Sequence, residues 1–371
     1  MTASRLVTAI VLLVAITAVP VTAAGASAGQ SASEMPCSSG SSYPLTPTDA
    51  TGTTVTVDAS PDSIVALQPS DARTIYRIGA EDRLVGLPHT QATRGLDRGD
   101  RANIGTGFNI NHERIIDLDP DVVLAANVTK KADIEQLRAA NISVYHFEKA
   151  RSIADVERNV RLTGQLVDEC DGATSSVEWM DRRLAIVERA VEGVDRPLAY
   201  YELGGGYTAG SETFQHDVLQ TAGLENVGAR AGVTGWAQLS SEVLIAEDPE
   251  WIVYPDRTET PDIADAATSI TAYQNERFVP VDANNMSQPA PQVVYAIEEI
   301  VRTVHPEAYQ AALDAGQGEE SETTPNDTAS ESKEDGADTD AEESTNALPG
   351  FGMAGAFAAL LASVAVLARR R

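Results

Sequence analysis

A fourteen-residue pattern occurs twice in this chain, and it constrains the fold more than any other feature. One copy reads NHERIIDLDPDVVL from Asn111, the other SSEVLIAEDPEWIV from Ser240. Glu113 matches Glu242, Asp119-Pro120 matches Asp248-Pro249, and the apolar run Val122 to Leu124 matches Trp251 to Val253. Each copy predicts a short helix, a turn that proline terminates, and a buried strand. A weaker echo precedes each copy, RIGAEDRLVG from Arg77 and QTAGLENVG from Gln220. A unit of helix, turn and strand used twice in the same register predicts two similar α/β lobes.

Each lobe opens with strand, polar loop and helix: SIVALQPSDARTIYRIG in the first, PLAYYELGGGYTAGSETFQHDVLQTAG in the second. Strands that read as uninterrupted apolar runs and alternate with helices imply parallel sheets covered on both faces. Ligands bind outside the carboxyl ends of such strands, which singles out the loops QPSD, PHT, TGFN, GGGYTAGS, TGWAQ and NNMSQPAP. Between the lobes, Val177, Met180, Leu184, Val187 and Val191 recur at helical spacing and predict one long helix, separated from the preceding one at Asp171-Gly172.

The ends of the chain differ from this body. The start, MTASRLVTAIVLLVAITAVPVTAAGASAG, reads as a secretory signal cut near Ala26 or Ala28, with an uncleaved anchor as the alternative. Residues 316 to 346 are acidic with a single lysine, Lys333, and hold no large apolar side chain, so they are expected to stay extended as a stalk. Gly350 to Ala368 is long enough to span ~30 Å of hydrocarbon and is followed by Arg369, Arg370 and Arg371. The expected organisation is signal 1–28, extension 29–53, first lobe 54–170, linking helix 171–195, second lobe 196–315, stalk 316–348 and anchor 349–371.

Composition removes several functions. A net charge of −28 with no dense basic run in the body excludes a nucleic-acid partner, and suits a salt-rich milieu in which self-repulsion is screened. The five histidines lack H-x-x-x-H or H-E-x-x-H spacing, and no G-x-S-x-G or P-loop lysine occurs, so neither catalytic residues nor a metal site are expected. Gly204 to Ala209 formally fits G-x-G-x-x-A, but an exported chain does not meet a dinucleotide cofactor, and no cofactor is expected. The two cysteines, Cys37 and Cys170, form either one disulfide in an oxidising compartment or two separate buried thiols.

The residues expected at the cleft come from those loops: Ser70, Asp71, His89, Phe108, Tyr207, Thr208, Trp236, Met286 and Gln288. An exposed Trp offers a flat apolar surface with one N–H donor, suited to stacking on a macrocycle or chelate, although Trp236 and Phe108 could equally pack under their own loops. Glu113 and Glu242 follow Asn111 and Ser240 as acids in a first helical turn. They either complement the helix dipole or present one carboxylate per lobe to a partner. Four N-x-S/T sequons begin at Asn127, Asn141, Asn285 and Asn326, and a glycan on Asn285 would obstruct the proposed cleft.

From about Val55 to Tyr309 these stretches resemble the binding proteins of ABC importers for cobalamin and ferric siderophores. The carriers are SIVALQPSDARTIYRIGAEDRLVG, NINHERIIDLDPDVVLA, TAGSETFQHDVLQTAGLENVG, WAQLSSEVLIAEDPEWIV and PVDANNMSQPAPQVVYAIEEI. The resemblance implies two Rossmann-like lobes joined by one long helix, a ligand cleft between them and a monomer. It also implies docking of Glu113 and Glu242 on arginines of a membrane permease served by ATPase subunits. Trp236 stands where cobalamin-binding members place a Trp against the corrin. Gly107, Phe108, Asn285 and Met286 stand where larger aromatics can occur, so a ferric siderophore or haem remains the alternative ligand. Pro349-Gly350-Phe351, the apolar run and the arginines resemble the PGF C-terminal sorting signal of haloarchaeal surface proteins, which implies tethering on the extracellular face.

Overall fold

The computed structural model describes residue 37 and residues 43–322; the signal, most of the stalk and the C-terminal tail lie outside the described residues. The first lobe comprises β1 (Ile64–Ala66), α1 (Pro69–Ile78), β2 (Leu84–Leu87), β3 (Ala102–Asn103), α2 (His112–Leu118), β4 (Val122–Ala125), α3 (Lys131–Ala139), β5 (Val144–His146) and α4 (Ile153–Leu166). The long helix α5 (Cys170–Val191) follows. The second lobe runs through β6 (Leu198–Tyr201), β7 (Tyr207–Ala209), α6 (Phe214–Thr221), β8 (Glu225–Asn226), α7 (Val227–Arg230), β9 (Trp236–Gln238), α8 (Ser241–Glu247) and β10 (Trp251–Pro255). It closes with α9 (Thr271–Gln274), β11 (Phe278–Val281), α10 (Ala283–Ser287), α11 (Val293–Val304) and α12 (Pro306–Glu322).

The first sheet has the order β3-β2-β1-β4-β5 and the second β11-β10-β6-β8, all pairs parallel. Each sheet starts at an interior strand, grows to one side, then restarts on the other: the order reverses between β1 and β4, and between β6 and β10. The strands after the reversal, β4 and β10, are those of the repeated pattern. Both repeats end their helix on an Asp in the left-handed region, Asp119 at φ 44° and Asp248 at φ 45°. Pro120 and Pro249 follow and cannot continue a helix. Asp tolerates that backbone because its short polar side chain finds local partners; Asp248 accepts from the Thr271 N–H at 2.6 Å and from its hydroxyl at 2.8 Å.

Every residue of β1 and β4 is buried, as the unbroken apolar runs require for strands covered on both faces. One core continues from the inner face of the first sheet, under α4 and α5, to the inner face of the second. Val177, Met180 and Val187 of α5 lie fully within it. The expected break at Asp171-Gly172 is not there: both residues lie inside α5, and the chain bends at Val167–Glu169. Gly172 serves packing instead, since a Cβ there would stand 1.8 Å from the Ile78 carbonyl oxygen at the end of α1.

Trp179 of α5 stacks under the Arg77 guanidinium of α1, 3.7 Å from its ring centroid, and meets Tyr295 of α11 edge-on at 5.3 Å. Arg183 pairs with Glu298 of α11 through two guanidinium nitrogens, Nε and Nη2, one to each carboxylate oxygen. A helix from each lobe is thereby held on α5. Cys37 and Cys170 form a disulfide across a sequence separation of 133, which pins the N-terminal segment to the start of that helix. The stalk was expected to begin at 316, but α12 remains helical to Glu322. Before that point α12 is tied to α5, where Arg189 donates to the Ala312 carbonyl at 3.0 Å. Among the described residues no helix is long and apolar enough to cross a membrane.

Candidate ligand-binding cleft

The loops at the carboxyl ends of the strands around each reversal are tied together before any ligand arrives. In the first lobe, Gln68 follows β1, and its side-chain amide donates to the Gly107 carbonyl at 2.9 Å and to the Thr129 hydroxyl at 3.1 Å. The His89 N–H donates to the Gly105 carbonyl at 3.2 Å, which binds the PHT loop to the TGFN loop. Asp71, in the first turn of α1, accepts from the N–H groups of Gln68 at 3.1 Å and Ala126 at 3.0 Å, joining the ends of β1 and β4. Burial pushes the Asp71 carboxyl up to about 7, against the opposing pull of those two donors. Burial, then the Arg98 charge, depresses the His89 imidazole, which favours its neutral form.

The second lobe presents a two-stranded antiparallel ribbon, β7 with β9, at its rim. Tyr207 lies opposite Gln238 and Ala209 opposite Trp236. Residues opposite one another, and those two apart, share a face, so Tyr207 and Trp236 stand on the same side of the ribbon. Both are 48% exposed. The turn before β7 needs three consecutive residues at positive φ, Gly204 at 98°, Gly205 at 60° and Gly206 at 78°, which only glycines adopt without strain. The buried Glu202 carboxylate accepts from the Gly204 N–H and Asp262 accepts from Gly205 at 3.2 Å, fixing that turn against the loop after β10. Gln238 completes it by donating to the Gly205 carbonyl at 3.0 Å.

The sequence-derived set divides accordingly. Tyr207 and Trp236 come together on one surface, and Phe108, 72% exposed, stands free at the rim of the first lobe with Lys130 bonded to its carbonyl at 2.9 Å. Ser70 and Asp71 are almost entirely covered and organise the loop ends from beneath. Thr208 and Met286 are corrected: both are fully buried and have no surface to offer a ligand. Thr208 alternates with Tyr207 along β7 and so points into the lobe, against Gly228 of α7. Met286 lies in α10, a short helix where an open loop was expected, and packs into the core because Asp282 caps that helix by accepting from Asn284 at 2.9 Å and Asn285 at 2.8 Å. Gln288 is also mostly buried, its amide donating to Asn284 at 3.3 Å.

Three cations at the lobe boundary escaped the sequence reading. Arg73 of α1 donates to the Ala92 carbonyl at 2.8 Å and lies within electrostatic reach of Asp282 in the other lobe; burial depresses its pKa while Asp282 opposes that. It is the fifth residue of α1, two positions beyond the QPSD loop that the strand-end rule selects. Lys149 and Arg151, in the segment after β5, cross to the second lobe: Lys149 donates to the Glu212 carbonyl at 2.8 Å, and Arg151 pairs with the Glu212 carboxylate at 3.1 Å. A further depression of about 390 Å³ lined by Asp82, Asp100, Arg101 and Arg114 lies at the β2–β3 edge, away from this boundary, and is wide open with mixed charges.

Glu113 and Glu242 are solvent-exposed on α2 and α8. Both helices have the N-caps the sequence suggested: Asn111 accepts from Arg114 at 3.0 Å, and Ser240 accepts from Val243 at 3.4 Å. Both glutamates stand in the first turn beside these caps, where a carboxylate complements the helix dipole. Hydrogen bonds from the Glu242 N–H and Ser240 hold the Glu242 carboxyl below the usual range.

The family model for periplasmic binding proteins matches residues 64–284. A cobalamin-binding protein of Halobacterium salinarum is 34% identical over 278 residues, covering 71% of this chain and 75% of its own. Among solved structures, the periplasmic vitamin B12 binding protein of Vibrio cholerae superposes with a TM-score of 0.58 at 17% identity, covering 68% of this chain and 98% of its own. A periplasmic heme-binding protein of Roseiflexus superposes with a TM-score of 0.59 at 20% identity, covering 68% and 99%. With both sheets, their reversals and the repeated helix-turn-strand unit in place, this chain belongs to the periplasmic binding protein family.

Proposed function

We propose that this protein is the extracellular solute-binding component of an ABC importer, that it captures cobalamin between its lobes, and that it delivers the ligand to a permease by docking Glu113 and Glu242. The observation that carries the ligand is the Tyr207–Trp236 surface: two half-exposed aromatic rings on one face of a ribbon held rigid by a glycine turn. Such a surface suits a flat macrocycle, because stacking covers apolar area while rim hydrogen bonds set orientation. The 34% identity to a cobalamin-binding protein supports the same ligand. Binding and release are the whole task; no bond of the ligand is made or broken. In this reading the contacts of Arg77, Tyr295 and Glu298 on α5 limit lobe motion, and the PGF-type tail keeps the protein on the outer face of the membrane beside its permease.

Arg73 and Lys149 support a second reading, haem or an anionic ferric siderophore of the catecholate or carboxylate type, since these carry anionic groups that cations at the lobe boundary would meet. Calorimetric titration with cyanocobalamin, an anionic ferric catecholate siderophore and haemin separates the two. Micromolar or tighter binding of cyanocobalamin alone is expected; no corrinoid binding alongside binding of either iron ligand would replace the first reading with the second.

A further inference from the structure

The face of Trp236 is already occupied. The Lys149 ammonium stands 4.6 Å from the centre of the Trp236 ring, reaching it from the opposite lobe. Its second partner is a neutral one, the Glu212 carbonyl at 2.8 Å, and no carboxylate pairs with it among the described residues. The root of the side chain is fixed by its neighbours: Arg151 pairs with Glu212 at 3.1 Å, and the Ile153 N–H donates to the Asp217 carboxylate at 2.7 Å. The four-carbon stem above that anchored backbone is free to rotate. Lys149 therefore combines a fixed base with a head that can leave.

We infer that Lys149 is a specificity-determining residue that acts as an internal occupant of the Trp236 face, which a ligand must displace before it stacks. Every stacking ligand forfeits the cation–π contact and the Glu212 hydrogen bond. A large ligand recovers the loss through the aromatic and rim area it covers. A small flat solute covers too little to offset it, so it is disfavoured. In the empty protein the same contact covers part of an aromatic surface that would otherwise face water, and it holds the two lobes together at their rim.

This inference rests on the stacking role of Trp236 proposed above, and the test separates the two. The chain has four lysines, Lys130, Lys131, Lys149 and Lys333, so isotope-labelled lysine gives a resolvable NMR spectrum. In the ligand-free protein the ε-methylene of Lys149 should be shifted upfield by the indole ring current, and Trp236→Ala should return it to the position of the other lysines. Cyanocobalamin should move it likewise. Lys149→Met, which keeps the stem and removes the charge, should tighten cyanocobalamin by about two- to fivefold, the value of an exposed cation–π contact; Lys149→Arg should bind like the wild type. An unshifted Lys149 in the empty protein, or a Lys149→Met variant that binds equally or more weakly, overturns the inference. Absence of corrinoid binding by the wild type overturns the ligand reading instead, and the ligand-free spectrum still decides whether Lys149 occupies the ring.

Discussion

Trp236→Ala tests the cleft most directly, and its expected cost can be worked from exposure. Trp236 keeps 48% of its surface open, which for a large aromatic of ~250 Å² is about 120 Å² available to a stacked ligand. At ~25 cal/mol per Å² that area is worth about 3 kcal/mol when covered. The ligand must first displace Lys149, which returns ~1 kcal/mol. The net loss on truncation is then about 2 kcal/mol, or ~30-fold in Kd for cyanocobalamin by calorimetry. Trp236→Phe keeps a flat ring and should recover most of that loss. The β7–β9 ribbon is backbone-paired on both sides of Trp236, and Gln238 still anchors the glycine turn, so the variant should retain wild-type circular dichroism and denaturation midpoint. A folded Trp236→Ala protein that binds within about threefold of wild type would show that the ligand rests elsewhere, and the stacking argument would fall.

Reversing both docking charges, Glu113→Arg with Glu242→Arg, should abolish uptake of radiolabelled cobalamin by whole cells and leave the Kd of the isolated protein unchanged; a change in Kd would place those carboxylates at the ligand instead. Removing the disulfide by Cys37→Ala with Cys170→Ala opens a covalent loop spanning 133 positions. Loop-closure entropy then predicts a loss of about 5 kcal/mol at 25 °C, read as a lower urea midpoint, and an unchanged midpoint would refute it. The Asp71 carboxyl binds its proton more tightly folded, with a value of about 7, than unfolded, near 4. Its contribution to stability is therefore complete below about pH 4 and is lost as pH rises through 7. Urea denaturation of Asp71→Asn against wild type should show the wild type losing on the order of 4 kcal/mol relative to the variant between pH 4 and pH 7.5; parallel curves would place the proton elsewhere.

What the sequence made legible was local. The caps at Asn111 and Ser240, the Asp-Pro stops and the buried strands after them are each encoded within a few residues, and their repetition was enough to imply two lobes. The apolar stripe of α5 was readable for the same reason, whereas Gly172 was misread because a glycine that breaks a helix and one that admits a neighbouring backbone are the same letter. The site was only half legible. Tyr207 and Trp236 were each singled out, but the antiparallel pairing that places them on one face joins segments separated by α6, β8 and α7. Thr208 was chosen with Tyr207 because both lie in one loop-like stretch, yet a strand alternates, so only one of the two can face the cleft.

The cations show where such reading stops. Lys149 lies in EKARS, a stretch with no glycine, aromatic or motif to mark it, and its position over Trp236 depends on how the lobes meet. Arg73 likewise gains its meaning from Asp282 in the other lobe. A strand-end rule applied to each lobe separately selects the walls of a cleft, but it is blind to side chains that cross it. The exposed aromatic pair of the proposed site, Trp236 and Tyr207, belongs to one lobe. The boundary cations, Arg73 and Lys149, belong to the other, so under the proposed reading a ligand has to satisfy both to hold the lobes together in place of the contacts it displaces.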